Sequence, residues 1–232
     1  MIAPEFPPLF SGQEVDGDPA EAARRAAAEG CDAGLVTYTL GDTQMRAAIV
    51  FAPDVPLHQA AVMLPLCAVG FQNALGALAP PEVAVHLAWD GGIRINGAEC
   101  GRLGMQASHT DPAALPDWLI ISLDLPLWPD SDNPGETPDR TALYAEGCAD
   151  VAPTTLLESW IKHTLVGINR WTDEGNAPLH REWSGLADGI GQATRREGLE
   201  GQFIGVDEDF GMLLSDDNGT HLIPLTTLLK AN

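Results

Sequence analysis

Alternating apolar and polar positions predict a β-hairpin near the middle of the chain. Residues 83–87 and 93–95 place apolar side chains at every second position, and Asp90-Gly91-Gly92 between them is a strong turn signal. A second break at Asn96-Gly97 precedes another extended stretch over 98–103. We expect this hairpin to be central in a sheet.

Three further segments have the apolar character of strands. They cover residues 35–40, 47–52 and 118–125, and only six residues, 41–46, connect the first two. An acidic segment rich in Pro and Gly follows over 128–140, so a loop is expected there.

Helical spacing of apolar residues predicts three helices. Residues 20–29 form an Ala-rich segment closed by Gly30, with Asp18-Pro19 as its start signal. Residues 57–78 form a long apolar segment in which Pro65 predicts a kink. A third helix begins near Pro153, and one face of it carries Leu157, Ile161, Thr164, Leu165 and Ile168.

The end of the chain has a different pattern from the rest. Three short extended segments, 202–206, 211–215 and 220–224, alternate with Asp-rich turns, which is typical of a small all-β unit. The 232 residues are enough for one large domain with a small appendage. We therefore expect an α+β domain over 1–188 and a small β domain over 189–232.

Charge and composition narrow the classes of function. The chain has 33 acidic and 12 basic residues, a formal net charge of −21, which would repel both nucleic acid and anionic lipid. The four cysteines show no metal-ligand spacing, so reduced thiols and no metal site are expected. The first residues lack a basic, apolar leader, and a cytoplasmic protein is expected.

The central hairpin carries a resemblance to a known family. An ungapped alignment matches Trp89 and Asn96-Gly97 to the Trp and Asn-Gly of the core motif of the biotin–lipoate protein ligases, and residues 171–183 (WTDEGNAPLHREW) resemble the end of their catalytic domain. The resemblance implies a mixed sheet with helices of the class II synthetase-like type and a C-terminal SH3-like β domain. It also implies activation of a biotin- or lipoate-type acid with ATP and Mg²⁺.

Two departures from the family pattern concern chemistry. The two lysine positions of the core motif are Ala88 and Glu99, and the long Gly-Arg-rich loop of the family is reduced to residues 41–46. Loss of one preorganised donor to a transition-state charge costs about 10²–10³ in rate, and a carboxylate has the wrong sign. The sequence therefore predicts that the standard ATP-dependent chemistry is lost or altered.

The expected ligand-binding residues surround the hairpin. Arg102 is the nearest substitute cation, with a planar fork suited to carboxylate or phosphate, although an ion pair with Glu99 is an alternative role for it. Trp89 is expected to pack against the ligand. The full expected set is Trp89, Asp90, Asn96, Gly97, Gly101 and Arg102.

Cys148 lies just before the helix that begins near Pro153. Related acyltransferases carry an acyl group on a cysteine near this place, and a helix N-terminus lowers a thiol pKa. Because the hairpin lysine that such enzymes also need is absent, an inert thiol is the preferred interpretation.

Three functions remain open at the level of sequence. The first is binding of a biotin-, lipoyl- or octanoyl-type acid, or of its carrier protein, without the standard chemistry. The second is an atypical ligase or acyltransferase that uses other cations with ATP and Mg²⁺. The third is an interaction module whose acidic surface binds a basic partner. A homodimer through an exposed sheet edge is a further expectation.

Overall fold

A seven-stranded mixed sheet forms the centre of the larger domain. The computed structural model describes residues 3–129 and 139–229. The strands in spatial order are β1 (Ser11–Glu14), β2 (Leu35–Leu40), β3 (Gln44–Phe51), β7 (Leu119–Pro126), β6 (Ala98–Ala107), β5 (Gly92–Ile95) and β4 (Val85–Leu87). The pairing of β1 with β2 is parallel, and the other pairings in this sheet are antiparallel.

Helices cover the two faces of this sheet unequally. The helices are α1 (Pro19–Ala28), α2 (Leu57–Ala60), α3 (Met63–Leu78), α4 (Pro153–Glu174) and α5 (Asn176–Leu186). The main core lies between the sheet and α3 and α4, where side chains such as Ile49, Leu123 and Trp160 are buried. On the opposite face, α1 covers only a small cluster around Ala48, Val50 and Ile120. No helix among the described residues covers the rest of that second face.

The predicted kink at Pro65 is a break between two helices. Pro65 has no N–H to donate to the carbonyl of Ala61, and the backbone N–H of Leu64 donates to that oxygen instead, over 3.0 Å. Helix α2 therefore ends at Ala60 and α3 begins at Met63, so that Pro65 lies in the first turn of α3, where a missing N–H is tolerated.

The segment Leu57–Leu78 is long and apolar enough to cross a membrane by length and composition alone. However, 72% of its most apolar window is buried inside the fold. It therefore has the character of a core helix.

Glycines allow α3 and α4 to approach each other closely. A Cβ at Gly70 would lie 3.0 Å from Thr164 Oγ1 and 3.2 Å from the Thr164 backbone nitrogen. One turn away, a Cβ at Gly167 would lie 3.1 Å from the Leu66 side chain. Protein interiors leave little free volume. Any side chain larger than that of glycine at these two positions would therefore push α3 and α4 apart.

A four-stranded antiparallel sheet forms the end of the chain. Its order is β11 (Gly219–Ile223), β10 (Met212–Asp216), β9 (Leu199–Val206) and β8 (Ala193–Arg196). Its inner face packs onto the main core through Phe203, Met212 and Leu214. Arg94 on β5 forms an ion pair with Asp188, 2.8 Å from nitrogen to oxygen, where the chain enters this sheet.

The predicted α+β class, with a mixed sheet, helices and a small C-terminal β sheet, is confirmed, but several details are wrong. The hairpin lies at one edge of the large sheet, since β4 pairs with β5 on one side and, among the described residues, makes only an isolated bridge from Leu87 to Ala187 on the other. Strands β1 and β8 and helix α5 were not predicted. They are short, polar or rich in Gly and Pro, so their hydrophobic patterns are weak. Most of the acidic segment 128–140 lies outside the described residues.

Candidate functional site

The sheet surface that α1 leaves uncovered is crossed by a row of charged side chains. Arg46 on β3, Asp124 on β7 and Arg102 on β6 are direct cross-strand neighbours, so their side chains share one face of the sheet. In the next row, Gly104 is opposite Ser122, and both are half-buried. We call the surface formed by these five residues the open face.

Arg102 is held at this site by two carboxylates. Its guanidinium lies 3.3 Å from Asp90 Oδ2 and 3.1 Å from Glu99 Oε1, and Nη1 also donates to the Asp90 carbonyl oxygen over 3.2 Å. Partial burial acts to lower the pKa of Arg102, but the charges and hydrogen bonds of Asp90 and Glu99 outweigh it and raise that pKa. Of the two roles considered from sequence, the ion pair of Arg102 with Glu99 is present, and the binding of a ligand by Arg102 stays a prediction.

The C-terminal sheet brings a second arginine to the same carboxylate. Arg196 on β8 donates from Nη2 to Asp90 Oδ2 over 2.8 Å. The Nε atom of Arg196 is buried without a hydrogen-bond partner among the described residues. Asp90 thus connects two guanidinium groups, Arg102 and Arg196, that lie 94 residues apart in the chain.

Arginines are concentrated around the open face despite the acidity of the protein. Glu99 has Arg94 on one side and Arg140 on the other as backbone neighbours. The arginines that border this surface are Arg46, Arg94, Arg102, Arg140 and Arg196, from a total of 12 Lys and Arg residues. Carboxylates lie among these arginines, namely Asp90, Glu99, Asp124 and Asp188, so the surface carries charges of both signs.

Trp89 lies on the other side of the hairpin. Its indole is 5% exposed, and Nε1 donates to the Phe210 carbonyl oxygen over 2.8 Å. It borders a small cavity whose other walls come from α3, α5 and the C-terminal segment, among them Leu64, Trp183 and Leu225. This placement turns the indole away from the open face, so Trp89 does not join Arg102 there.

Asn96 and Gly97 form the turn between β5 and β6. Both have positive φ values, 51° and 94°, as a tight hairpin turn requires. The Asn96 amide accepts a hydrogen bond from Ala84 N over 3.0 Å and donates one to Glu146 Oε2 over 2.8 Å. This turn is at the opposite end of β5 from Gly92, the neighbour of Arg102, so both residues shape the hairpin away from the charged row.

Gly101 has a packing role beside Arg102. A Cβ at this position would lie 2.8 Å from the Asp124 carbonyl oxygen, and a side chain there would displace the neighbouring strand. Of the six residues expected to bind ligand, the structure therefore brings Asp90 and Arg102 together on the surface, with Gly101 as their support.

Cys148 is a buried thiol and lies apart from the open face. Burial raises its pKa, and the charge of Glu146 raises it further. Its Sγ is 4.0 Å from the Glu146 carbonyl oxygen. Burial raises the pKa of Cys100 to about 12. These surroundings do not activate a nucleophile.

Among the described residues, no group of three or more His, Cys, Asp or Glu side chains could hold a metal ion.

Sequence reasoning missed three charged residues of the site, Arg46, Asp124 and Arg196, and also Gly104 and Ser122 of the open face. The first two could have been found, because each is a charged position inside an otherwise apolar strand. Arg196 had no such signal, since its approach depends on how the C-terminal sheet docks.

Comparisons with known proteins agree with the described fold. A family model described as the biotin/lipoate A/B protein ligase family matches residues 6–185, and one described as a domain of unknown function (DUF4444) matches residues 190–231. No curated protein matches the chain.

Solved structures give the same picture. A biotin protein ligase-like protein of unknown function from Silicibacter sp. TM1040 is 60% identical, with a TM-score of 0.94 over 99% of this chain and 100% of that one. The biotin protein ligase of Aquifex aeolicus is 17% identical, with a TM-score of 0.72 over 94% and 96%. The Leishmania major enzyme in complex with biotinyl-5-AMP is 14% identical, with a TM-score of 0.56 over 94% and 99%. At these lower identities the likeness concerns the fold.

Proposed function

Because this chain belongs to the biotin/lipoate A/B protein ligase family, we propose that it binds a biotin-, lipoyl- or octanoyl-type carboxylic acid, or the carrier of such a group, on the open face, with the ligase chemistry lost or altered. The observation that carries the proposal is the exposed, ion-paired Arg102 in a row of charges beside the small residues Gly104 and Ser122. The fold neighbours named as biotin protein ligases support the class of ligand.

The geometry suits recognition of a carboxylate. Arg102 presents a planar fork that can hold both oxygens of an acid, and the shallow row of Gly104 and Ser122 leaves room for an acyl body. The acid must compete with Asp90 and Glu99 for this guanidinium. Half-exposed ion pairs contribute at most about 1 kcal/mol each, so such an exchange has a low cost.

The residues present do not fit the family's use of ATP. The two positions aligned with the family lysines are Ala88, which has no charge, and Glu99, whose carboxylate binds Arg102. A second carboxylate, Asp90, lies beside the same guanidinium. A neutral residue and a negative one in place of two positive ones, with Asp90 close by, disfavour a triphosphate at this point. We therefore derive no step through ATP.

A thermal-shift panel tests the proposal. The acids are biotin, lipoate and octanoate, together with their adenylates, each with and without ATP and Mg²⁺. An acid at about 100 times its Kd should stabilise the protein by about 2.7 kcal/mol. We expect one acid to raise the Tm without ATP, and Arg102→Ala to abolish that shift.

The matched control is Arg24→Ala. Arg24 is also half-exposed and ion-paired, with Glu21 over 3.0 Å, but it lies on α1. The control should keep the full shift. If no acid shifts the Tm, or if Arg102→Ala leaves the shift unchanged, the proposed site is wrong.

An atypical ligase is the second candidate. The observation in its favour is Arg196, which brings a second guanidinium to within 2.8 Å of Asp90 and could replace a missing lysine. Incubation of the protein with an acid, ATP and Mg²⁺ should then release pyrophosphate, and Arg196→Ala should prevent this. Absence of pyrophosphate for all three acids would rule out this second candidate.

A further inference from the structure

The outer surface of the C-terminal sheet carries a strip of apolar side chains. Leu213 on β10 is the direct neighbour of Leu222 on β11 and of Gly205 on β9. Ile204 is the extra residue of a bulge at this point, and it is 44% exposed, while Leu222 is 53% exposed. We call Ile190, Ile204, Leu213 and Leu222 the apolar strip.

Ile190 extends the strip to the far side of the sheet. Ile190 lies in the turn that precedes β8, and the backbone N–H of the next residue, Gly191, donates to the Phe203 carbonyl oxygen over 2.7 Å, which holds this turn against the strand that carries Ile204. Ile190 is 46% exposed. Three of the seven large, exposed apolar side chains among the described residues thus lie together on this small sheet, whereas Leu9, Leu115, Trp128 and Val166 are spread over the larger domain. Contiguous exposed apolar surface marks an interaction site.

Core packing does not explain the strip. The alternate residues of these strands, Phe203, Met212, Leu214 and Ile223, already fill the inner face. Strand alternation sends Leu213 and Leu222 to the opposite face, where Leu222 and the neighbouring Ile204 are exposed. Strand β11 is also an edge, with β10 as its neighbour on one side alone.

The charge around the strip indicates what it binds. Residues 190–229 contain two arginines and seven Asp or Glu residues. Acidic turns close both ends of β10: Asp207, Glu208 and Asp209 at one end, Asp216 and Asp217 at the other. Glu208 and Asp217 are exposed, and their carboxylates have no partner among the described residues. A cation beside an apolar group would complement this surface.

From these contacts we propose that the apolar strip docks a basic, extended segment of another protein. Its apolar side chains would cover Leu213 and Leu222 on the outer face, and its cations would meet Glu208 and Asp217 at the two ends of β10. A second copy of this chain does not suit the surface, because each copy carries a net charge of −21 and the same acidic turns. An anionic membrane is repelled for the same reason.

A peptide-binding experiment with the full chain tests the docking surface. The probe is a fluorescein-labelled Lys-Val-Lys-Val-Lys-Val-Lys peptide, and its counterpart has Glu in place of Lys. We expect fluorescence anisotropy to show binding of the basic peptide, weakened by added salt, and no binding of the acidic one.

Two variants separate the strip from general attraction to an acidic protein. Leu222→Ser should weaken binding about tenfold or more, as loss of a central apolar contact does. Val166→Ser, which changes an equally exposed apolar residue on α4, should leave binding unchanged. Charge reversal by Glu208→Lys with Asp217→Lys should also weaken binding.

Three results would overturn the proposal: no binding of the basic peptide, equal binding by the Leu222→Ser and Val166→Ser variants, or a dimer in sedimentation that Leu222→Ser abolishes. The last result would assign the strip to a second copy. If Leu222→Ser lowers the Tm, Ile204→Ser takes its place, since Ile204 is the added residue of a bulge and 44% exposed.

Discussion

Trp89 and Phe210 join the hairpin to the C-terminal sheet: the indole Nε1 of Trp89 donates to the Phe210 carbonyl oxygen over 2.8 Å, and both residues are almost fully buried. The Phe210 ring in turn lies edge-on to Trp183 of α5, with 6.1 Å between ring centroids. The tryptophan that carries the family resemblance therefore contributes to the cohesion of the two sheets.

Trp89→Phe tests that contribution. The substitution keeps an aromatic ring but leaves the buried Phe210 carbonyl without its donor, and it should lower the free energy of unfolding by about 1–3 kcal/mol. Urea unfolding measures the change. Trp128→Phe is the control, because Trp128 is 50% exposed, and its effect should stay within about 0.5 kcal/mol. Equal losses for the two variants would contradict a structural role specific to Trp89.

Two glycines of α3 should respond in opposite directions to alanine. Gly70→Ala places a Cβ 3.0 Å from Thr164 Oγ1 and 3.2 Å from the Thr164 backbone nitrogen. We therefore expect this variant to lower the free energy of unfolding by about 1–3 kcal/mol. The Cβ of Gly76→Ala would lie 3.6 Å from the flexible Gln72 amide, an ordinary contact distance. The higher helix propensity of alanine should therefore raise the free energy of unfolding by about 0.5–1 kcal/mol. Thermal unfolding of both variants measures the difference. If Gly70→Ala is also stabilising, the helices have room to separate.

The sequence predicted best where the hydrophobic period is long and regular. The strand at 35–40 has the predicted bounds, and the helix predicted over 20–29 is found at Pro19–Ala28, with Asp18 accepting a hydrogen bond from Ala20 N as an N-cap. Strand β1 escaped prediction because its four residues, Ser-Gly-Gln-Glu, are all exposed and show no alternation.

The candidate site was less predictable than the fold. Asp90 and Arg102 lie in one hairpin, and local spacing suffices to bring them together. Trp89 follows the same hairpin, yet it faces the core because Phe210, 121 residues later, supplies its hydrogen-bond partner. Whether a side chain of this hairpin lies on the open face or in the core thus depends on long-range packing.

The four thiols should differ in reactivity according to burial. Cys67, Cys100 and Cys148 are buried, and burial raises the pKa of each thiol, while Cys31 is half-buried. A raised pKa lowers the thiolate fraction at neutral pH, so native protein at pH 7.5 should react with Ellman's reagent at no more than Cys31, and faster as the pH rises. Unfolding in guanidinium should expose all four. Rapid labelling of Cys148 in the native protein, shown by peptide mapping, would revive the acyl-carrier role.

Asp90→Asn should strengthen binding of the acid that the thermal-shift panel identifies. Asp90 occupies Arg102 over 3.3 Å and Arg196 over 2.8 Å, and its carboxylate therefore competes with an incoming one. The amide keeps the size but removes the charge. Since each exposed pair contributes at most about 1 kcal/mol, we expect the Kd to fall by about 2–10-fold and the free energy of unfolding to fall by no more than about 1 kcal/mol.

Isothermal titration calorimetry measures the change in Kd for Asp90→Asn, with Glu21→Gln as the control for removal of a carboxylate from an arginine pair elsewhere on the surface. The control should leave the Kd unchanged. A weaker Kd for Asp90→Asn would show that the carboxylate holds Arg102 in the orientation that binds the acid. In that case the ion pairs of Asp90 are part of the binding site. Without them, the cost of ordering the Arg102 side chain on binding would exceed the benefit of removing a competing negative charge.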